Sequence, residues 1–162
     1  MRAPEPHPAG RGSCACACGV LLAMLLVVAP VQAQQLRVRQ RADLDFGVVL
    51  AGTMATVQPW DATAAEWDVQ MPRNASGFVS FSLPAALTSG ASSLPLSFGA
   101  SSAVWSNGNQ PQNGTTFDPR TGIGVTPSRQ NMAVWLGGAV APPVNQRAGA
   151  YTGVVTLTVV VN

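Results

Sequence analysis

The sequence predicts an all-β protein. Nine prolines are spread through residues 34–162 and leave little uninterrupted room for helices of typical length. Two segments, residues 36–46 and 151–162, alternate apolar and polar side chains with a period of two. Short strands of this kind, separated by Gly, Pro, Ser and Asn, are typical of a β-sandwich or a β-barrel.

Residues 1–33 have the three parts of a secretory signal peptide. Arg2 and Arg11 supply positive charge, residues 14–29 form an apolar run, and Val31 and Ala33 occupy the positions before a cleavage site. The run is short for a membrane-spanning helix, which needs about 20 residues. We therefore expect a secreted protein that passes through the periplasm, with a single domain of residues 34–162 and no membrane segment after cleavage. An uncleaved membrane anchor is the alternative.

Composition excludes most enzyme classes for this domain. Residues 34–162 contain no histidine, cysteine or lysine, so they cannot form a Ser-His-Asp triad, a usual zinc site or a Schiff base. Their six carboxylates would serve a glycosidase only if two of them flanked a cleft. Their seven arginines lack the clustering that nucleic-acid binding needs. We therefore expect no catalytic residue, no metal, no cofactor and no nucleic-acid partner.

The first alternating segment predicts a strand with one buried face and one solvated face. The buried face comprises Leu36, Val38, Gln40, Ala42, Leu44 and Phe46, and the solvated face comprises Arg37, Arg39, Arg41, Asp43 and Asp45. A bulge at Gly47 would allow residues 48–50 to continue the strand. Asp43 and Asp45 are interpreted as exposed strand residues, with contact to a cation or a sugar as the alternative.

The middle of the chain predicts shorter elements. Residues 79–83 alternate as a strand, residues 94–98 form an edge strand because Pro95 lacks an amide hydrogen, and residues 132–136 form a buried strand. Residues 106–116 form a polar loop with two Asn-Gly turn signals. A helix capping box at residues 63–66 predicts one helical turn within residues 61–68.

The last segment predicts a strand that ends inside the sheet of its own domain. One face of this strand carries Tyr151, Val155, Leu157, Val159 and Val161. A long apolar strand in this position either fills the core of its own domain or is offered to another chain.

Three motifs of the chain suggest a family. They are Leu-Asp-Phe-Gly at residues 44–47, Trp-Leu-Gly-Gly at residues 135–138, and Ala-Gly-Ala-Tyr-Thr-Gly-Val-Val at residues 148–155. Together they resemble the secreted bacterial domains related to spore coat protein U and to chaperone-usher pilus subunits. The resemblance implies an immunoglobulin-like antiparallel β-sandwich of about seven strands. It also implies a non-catalytic structural subunit of a surface fibre or coat.

The same resemblance implies assembly by β-augmentation, in which an extended segment of one chain completes the sheet of another. The expected partners are a periplasmic chaperone and like subunits. The strand-exchange interface would comprise Leu36, Val38, Gly149, Tyr151, Val155, Leu157, Val159 and Val161. Gly149 matches the glycine that precedes the terminal strand of pilins, whereas Val161 stands where pilins often have a penultimate tyrosine. Residues 34–43, which we call the arm, contain only two large apolar side chains, Leu36 and Val38. The arm either donates a strand to a neighbour or folds back on its own sheet.

Four tryptophans support a second hypothesis, a monomeric secreted module that binds carbohydrate. Flat aromatic rings can stack on sugar rings when they are exposed. Trp60, which lies between Pro59 and Asp61, and Trp105, which adjoins the polar loop, are the candidate stacking residues. Trp135 lies within an apolar run and is expected in the core.

Overall fold

The computed structural model describes residues 35–162, which are almost entirely β-strands and connecting loops. The predicted signal peptide lies outside the described residues. The strands are β1 (Arg37–Ala42), β2 (Ala55–Val57), β3 (Ala65–Gln70), β4 (Gly77–Ser82), β5 (Ala86–Ser89), β6 (Ser92–Ser97), β7 (Ala103–Ser106), β8 (Thr115–Phe117), β9 (Ile123–Val125), β10 (Asn131–Leu136), β11 (Gly138–Val140) and β12 (Thr156–Val161). A short 3₁₀ turn, Pro111–Asn113, lies between β7 and β8.

These strands form three antiparallel sheets, consistent with the predicted β-sandwich. Sheet I has the order β1-β3-β10-β7-β8, sheet II the order β2-β11-β6-β5, and sheet III the order β12-β4-β9. The chain passes from sheet I to sheet II through Gly137, which separates β10 from β11. The prediction of an all-β protein is therefore confirmed.

The main hydrophobic core lies between sheets I and III. Its buried members are Ala65, Trp67, Val69, Met71, Val79, Ala103, Phe117, Val125, Met132, Val134 and Leu136. The ring of Phe81 in β4 lies 5.5 Å from the ring of Trp67 in β3 and 6.2 Å from that of Phe117 in β8. Aromatic pairs at these spacings contribute stabilisation beyond that of the apolar area that they bury. They therefore help to hold the two sheets face to face.

Two smaller clusters complete the interior. Leu94, Leu96 and Val140 form a second core on sheet II, against which Phe46 and Tyr151 pack. Trp135 is buried as predicted, but on the outer face of sheet I, where it clusters with Val104 and Ala133.

Several predicted elements are confirmed, with different ends. β4 covers most of residues 79–83, β10 covers residues 132–136, and the polar loop separates β7 from β8. β12 ends the described chain within sheet III, and it begins at Thr156 rather than at Tyr151. Residues 37–42 pair with β3 of the same chain, so the segment of residues 34–43 folds back on its own sheet.

The strand predicted for residues 36–46 forms only at residues 37–42, and its predicted buried face is wrong for Leu36, Val38 and Gln40, which are exposed because no described strand covers them at the edge of the sheet. Ala42, Leu44 and Phe46 are half-buried as predicted, between the exposed Asp43 and Asp45. Val38 and Gln40 lie opposite the buried Val69 and Trp67, but the register shifts between Gln40 and Ala42. The strand ends at Ala42, and the prediction that residues 48–50 continue it is wrong. Gly47 adopts a φ of +63°, which turns the chain away and leaves Val48 96% exposed.

The prediction that residues 94–98 form an edge strand is also wrong. β6 lies between β11 and β5, but its register with β11 reaches only Leu96 and Ser97. The amide of Leu96 donates to the carbonyl of Ala85 on the β5 side. Because successive amides point to opposite sides of a strand, the nitrogen of Pro95 faces the β11 side, where the pairing has already stopped.

The capping box at residues 63–66 does not start a helix. The amide of Ala64 donates to the carbonyl of Asp61 in a tight turn, and β3 begins at the next residue. Ala65, Trp67 and Val69 are all buried on one face of β3, which only a period of two allows. Burial of these side chains in the main core therefore overrides the local helix signal.

The turn at residues 118–122 joins β8 to β9 and is held by Asp118. The carboxylate of Asp118 accepts hydrogen bonds from the backbone amide of Arg120 at 2.9 Å and from its guanidinium at 3.1 Å. The carbonyl of the same residue accepts the amides of Thr121 and Gly122. This turn closes one side of the domain.

The Asp118 carboxyl provides a test of this turn. The side chain of Arg120, and next its backbone amide, hold the pKa of Asp118 below the ordinary value of 3.8. Because the folded-state pKa is depressed, the stabilisation is present above the unfolded-state pKa and is lost as the pH falls through the folded-state pKa. We expect Arg120→Gln to raise the pKa of Asp118 toward 3.8 in an NMR titration of the carboxyl carbons. An unchanged Asp118 titration would show that the Arg120 side chain has no such role.

Candidate functional site

Sheets I and III are joined on one side of the domain and open on the other. β8, at one edge of sheet I, continues through the turn at residues 118–122 into β9, at one edge of sheet III. The opposite edges are β1 and β12, and neither has a second neighbour among the described strands. The two end segments singled out by the sequence therefore border the same opening.

Among the described strands β12 pairs only with β4, so its other backbone edge, which we call the free edge, faces this opening. All six of its residues are in register with β4, and the amide that follows the strand, that of Asn162, donates to the carbonyl of Ser76. Successive residues of an antiparallel strand point their N–H and C=O groups alternately to its two sides. The even-numbered residues of β12 therefore bond to β4, whereas Leu157, Val159 and Val161 point these groups outward.

The side chains beside the opening are incompletely covered. Leu157, Val159 and Val161 pack against the main core but are only partly buried. Across the opening, Leu36 and Val38 are 40% and 41% exposed. Apolar side chains on both borders would lose water contact if a further strand lay between them.

The opening leads into a cleft of about 850 Å³ where β1 stops and β12 starts, which we call the end cleft. Residues 43–51 and 146–153 form its walls, and Leu94, Leu96 and Val140 contribute to its lining from the second core. A cleft of this size with a largely apolar lining can hold several side chains of a bound segment.

Tyr151 braces one wall of the end cleft. Its hydroxyl donates to the carbonyl of Arg147 at 2.7 Å and accepts the side-chain amide of Gln146 at 2.6 Å. Gly149 lies in the same wall, where an added Cβ would come within 2.8 Å of the hydroxyl of Ser89. Gly149, Tyr151 and Val155 of the predicted interface therefore line the end cleft. The remaining predicted residues near the end of the chain, Leu157, Val159 and Val161, lie in β12.

Positive charge lies on the outer face of β1, which points away from sheet III. Arg37 and Arg39 are exposed on the outer face of β1, in register with Gln70 and Asp68 of β3. The guanidinium of Arg41 bonds to the carboxylate of Asp68, and this bond raises the pKa of Arg41.

Asp43 and Asp45 lie beyond the end of β1, in the wall of the end cleft. Both are exposed, as expected, but they belong to a loop rather than to a strand face. Asp43 accepts a hydrogen bond from the side-chain amide of Gln40, and Asp45 accepts one from the amide of Gly47 at 2.8 Å. These bonds order the chain as it leaves β1.

The two candidate stacking residues lie on different elements. Trp60 is 48% exposed in the turn between β2 and β3, where the Asp61 carboxylate accepts the amide of Gln58 at 2.6 Å. Trp105 lies in β7 and packs against the main core. Its Nε1 is buried and has no hydrogen-bond partner in the described part of the chain.

The chain matches no family model, no curated protein and no solved structure. Its function is therefore inferred from the edge of β12 and the end cleft. Within residues 35–162, no helix is long and apolar enough to cross a membrane. In the same range, no three His, Cys, Asp or Glu side chains are grouped so that they could hold a metal ion.

The part of the site that sheet II contributes could not be predicted from the sequence. The alternation of Leu94 and Leu96 predicts a strand. Their position beside the end cleft, however, depends on the pairing of β6 with β11. Phe46 and Val49 likewise reach the second core because the chain turns at Gly47. No local pattern identifies such contacts, since they join residues about 50 positions apart in the chain.

Proposed function

We propose that this protein is a secreted, non-catalytic structural subunit of a bacterial surface fibre or coat, and that it assembles by β-strand augmentation. The observation that carries the proposal is the free edge of β12, whose outward backbone groups lie beside partly covered apolar side chains. Soluble proteins usually protect such an edge. An added strand would satisfy the backbone groups, and its alternate side chains would enter the opening. A periplasmic chaperone and other subunits are the expected sources of that strand.

The order of the strands supports an immunoglobulin-like topology within this proposal. In such domains one sheet has the strand order A-B-E-D and the other contains C, F and G. β1, β3, β10 and β7 follow the first order, and β4 and β12 correspond to C and F. The position of strand G is then the free edge of β12, where the described residues supply no strand.

Tyr151 supports the same assignment. Immunoglobulin-like domains often have a tyrosine near the start of strand F whose hydroxyl bonds to the backbone a few residues upstream. Tyr151 precedes β12 by five positions and donates to the carbonyl of Arg147. This bond orders the turn that delivers the chain into β12.

Approximate energies indicate that the end cleft must take part in a durable joint. Covering five partly exposed Leu and Val side chains contributes about 1 kcal/mol each, since full burial of such a side chain contributes about 1.5–3 kcal/mol. Each backbone hydrogen bond that the three outward residues of β12 form with the added strand contributes about 1 kcal/mol more. Association costs about 4–15 kcal/mol in lost freedom. The edge alone is therefore marginal, and side chains bound in the end cleft supply the remainder.

Amide hydrogen exchange tests the proposed assembly residue by residue. In the isolated protein we expect slow exchange at Thr158 and Val160, whose amides bond to β4, and fast exchange at Leu157, Val159 and Val161. In the assembled form, or with a strand-forming peptide bound, the three fast amides should become protected. NMR measures each of these amides separately. Assembly that leaves the odd-numbered amides in fast exchange would show that β12 does not receive a strand.

A further inference from the structure

A second cavity lies at the end of the domain opposite the end cleft. The end cleft lies where β3 begins, whereas this cavity, of about 400 Å³, lies beyond the other end of β3. The described residues that line it are Arg73, Asn74, Ser128, Arg129 and Gln130. We call it the arginine cavity, because two of these side chains carry guanidinium groups.

The turn between β3 and β4 positions one of the two arginines. The amide of Ala75 donates to the carbonyl of Pro72 at 3.3 Å, so Arg73 and Asn74 occupy the two central positions of this turn. Asn74 adopts a φ of +60°, which asparagine tolerates better than most residues do. Both central residues are therefore held at the tip of the turn, where they are exposed.

The segment between β9 and β10 positions the other arginine. The carbonyl of Gln130 accepts the amide of Met71 at 2.8 Å, which joins this segment to the residue that precedes the turn. The amide of Ser128 donates to the Oδ1 of Asn107 in the polar loop at 2.9 Å. Arg129 lies between these two anchored residues and is exposed. Hydrogen bonds on either side of Arg129 thus fix the backbone that carries it.

The arginine cavity concentrates positive charge. No Asp or Glu is among the described residues that line it. The ion pairs between described side chains join Arg41 to Asp68 and Arg120 to Asp118, so Arg129 takes part in neither. Two guanidinium groups that share a cavity repel each other, and an anion bound between them would replace this repulsion by two attractions.

We propose that the arginine cavity binds a phosphate group carried by a sugar-sized molecule. A phosphate monoester has about −1.5 to −2 charges at pH 7 and three terminal oxygens, which matches two guanidinium groups in charge. Each guanidinium can donate two parallel hydrogen bonds to such a group. The side chains of Asn74, Ser128 and Gln130 can bond to the remaining oxygens or to hydroxyl groups of the carrier.

The size of the cavity favours a carried phosphate over a free ion. A volume of about 400 Å³ lies within the range of small-molecule sites, and an inorganic phosphate ion would fill only part of it. The site is separate from the proposed assembly, because no described residue belongs both to the arginine cavity and to the free edge of β12.

Titration of the purified exported protein with four compounds tests this site. They are glucose 6-phosphate, inorganic phosphate, glucuronate and glucose, and NMR follows the Nε–H signals of the arginines. We expect glucose 6-phosphate to bind most tightly, with shifts at Arg73 and Arg129, and inorganic phosphate to bind less tightly. Glucuronate, whose carboxylate carries a single charge, should bind about tenfold more weakly than glucose 6-phosphate, and glucose should not bind.

Substitution of each arginine locates the binding. Arg73→Gln and Arg129→Gln should each weaken the binding of glucose 6-phosphate at least about tenfold, because each removes charge-assisted hydrogen bonds. Arg120→Gln is the matched control. It removes the same charge from an exposed arginine on the closed side of the domain and should leave the affinity unchanged.

Three results would contradict the proposal. Absence of binding to the unmodified protein, or binding that both cavity variants retain, would overturn the site. Glucuronate binding more tightly than glucose 6-phosphate would overturn the phosphate as its ligand. Equal affinity for glucose 6-phosphate and inorganic phosphate would overturn the sugar-sized carrier and support a site for the free ion.

Discussion

Val159→Pro is expected to weaken the binding of an added strand strongly while leaving the domain folded. The amide of Val159 points to the free edge of β12 and makes no bond to β4, so proline removes a donor that the isolated protein does not use. Proline is also apolar and close to valine in size. An added strand, however, would lose the hydrogen bond from the amide of residue 159, so one carbonyl of the added strand would have no donor. The proline ring would also clash with the added strand. We expect at least about a 30-fold loss of affinity for a strand peptide.

The neighbouring substitution Val160→Pro is the control for this prediction. The side chain of Val160 is exposed, but its amide bonds to β4. Proline here removes a hydrogen bond from the ladder of sheet III, and we expect it to lower the free energy of unfolding by about 2 kcal/mol or more. Urea unfolding and peptide titration of both variants separate the two effects. If Val159→Pro binds peptide as tightly as the unmodified protein, the free edge of β12 is not the receiving edge.

Gly137→Ala is expected to destabilise the domain by about 3 kcal/mol. An added Cβ at this position would overlap the carbonyl oxygen of Val57 and lie 3.0 Å from the nitrogen of Pro59. Backbone atoms cannot move aside as the end of a side chain can, so the strands must separate locally. Gly137 is the residue at which the chain passes from sheet I to sheet II, and the loss should appear as a lower urea midpoint with an unchanged slope.

Gly124→Ala provides the comparison for the effect of an added methyl group. Gly124 lies in β9, and a Cβ there meets no atom within 4 Å. We expect this variant to be as stable as the unmodified protein or up to about 1 kcal/mol more stable, because alanine restricts the unfolded chain. Equal losses of stability in the two variants would mean that close packing at Gly137 is not the cause.

The sequence predicted strands best where side-chain alternation and burial agree. β12 was predicted with its inward face because Leu157, Val159 and Val161 alternate with polar or exposed residues, and the structure has the same face inward. The prediction that residues 48–50 continue the first strand was wrong because an apolar run next to a strand does not show whether the chain turns away. The capping box failed because the burial of Trp67 contributes more than a short helical turn does.

The candidate site was predictable only in part. The two end segments were identified from their apolar alternation and from a family resemblance, and both border the opening. The pairing of residues 37–42 with β3 was left undecided by the sequence. The contribution of Leu94, Leu96 and Val140 to the end cleft depends on the long-range pairing of β6 with β11, which local patterns do not contain.

The amino-acid order alone thus determined the strand-rich class, the inward face of the last strand, and the lack of histidine, cysteine and lysine chemistry in residues 34–162. These are properties of composition and of the two-residue repeat of an extended backbone. The tertiary structure decided which edges pair. β1 pairs with β3, the turn at residues 118–122 connects β8 to β9, and β12 has one neighbour, β4, among the described strands. Strand edges offer similar hydrogen-bonding groups, so the choice among them is made by long-range packing and loop closure.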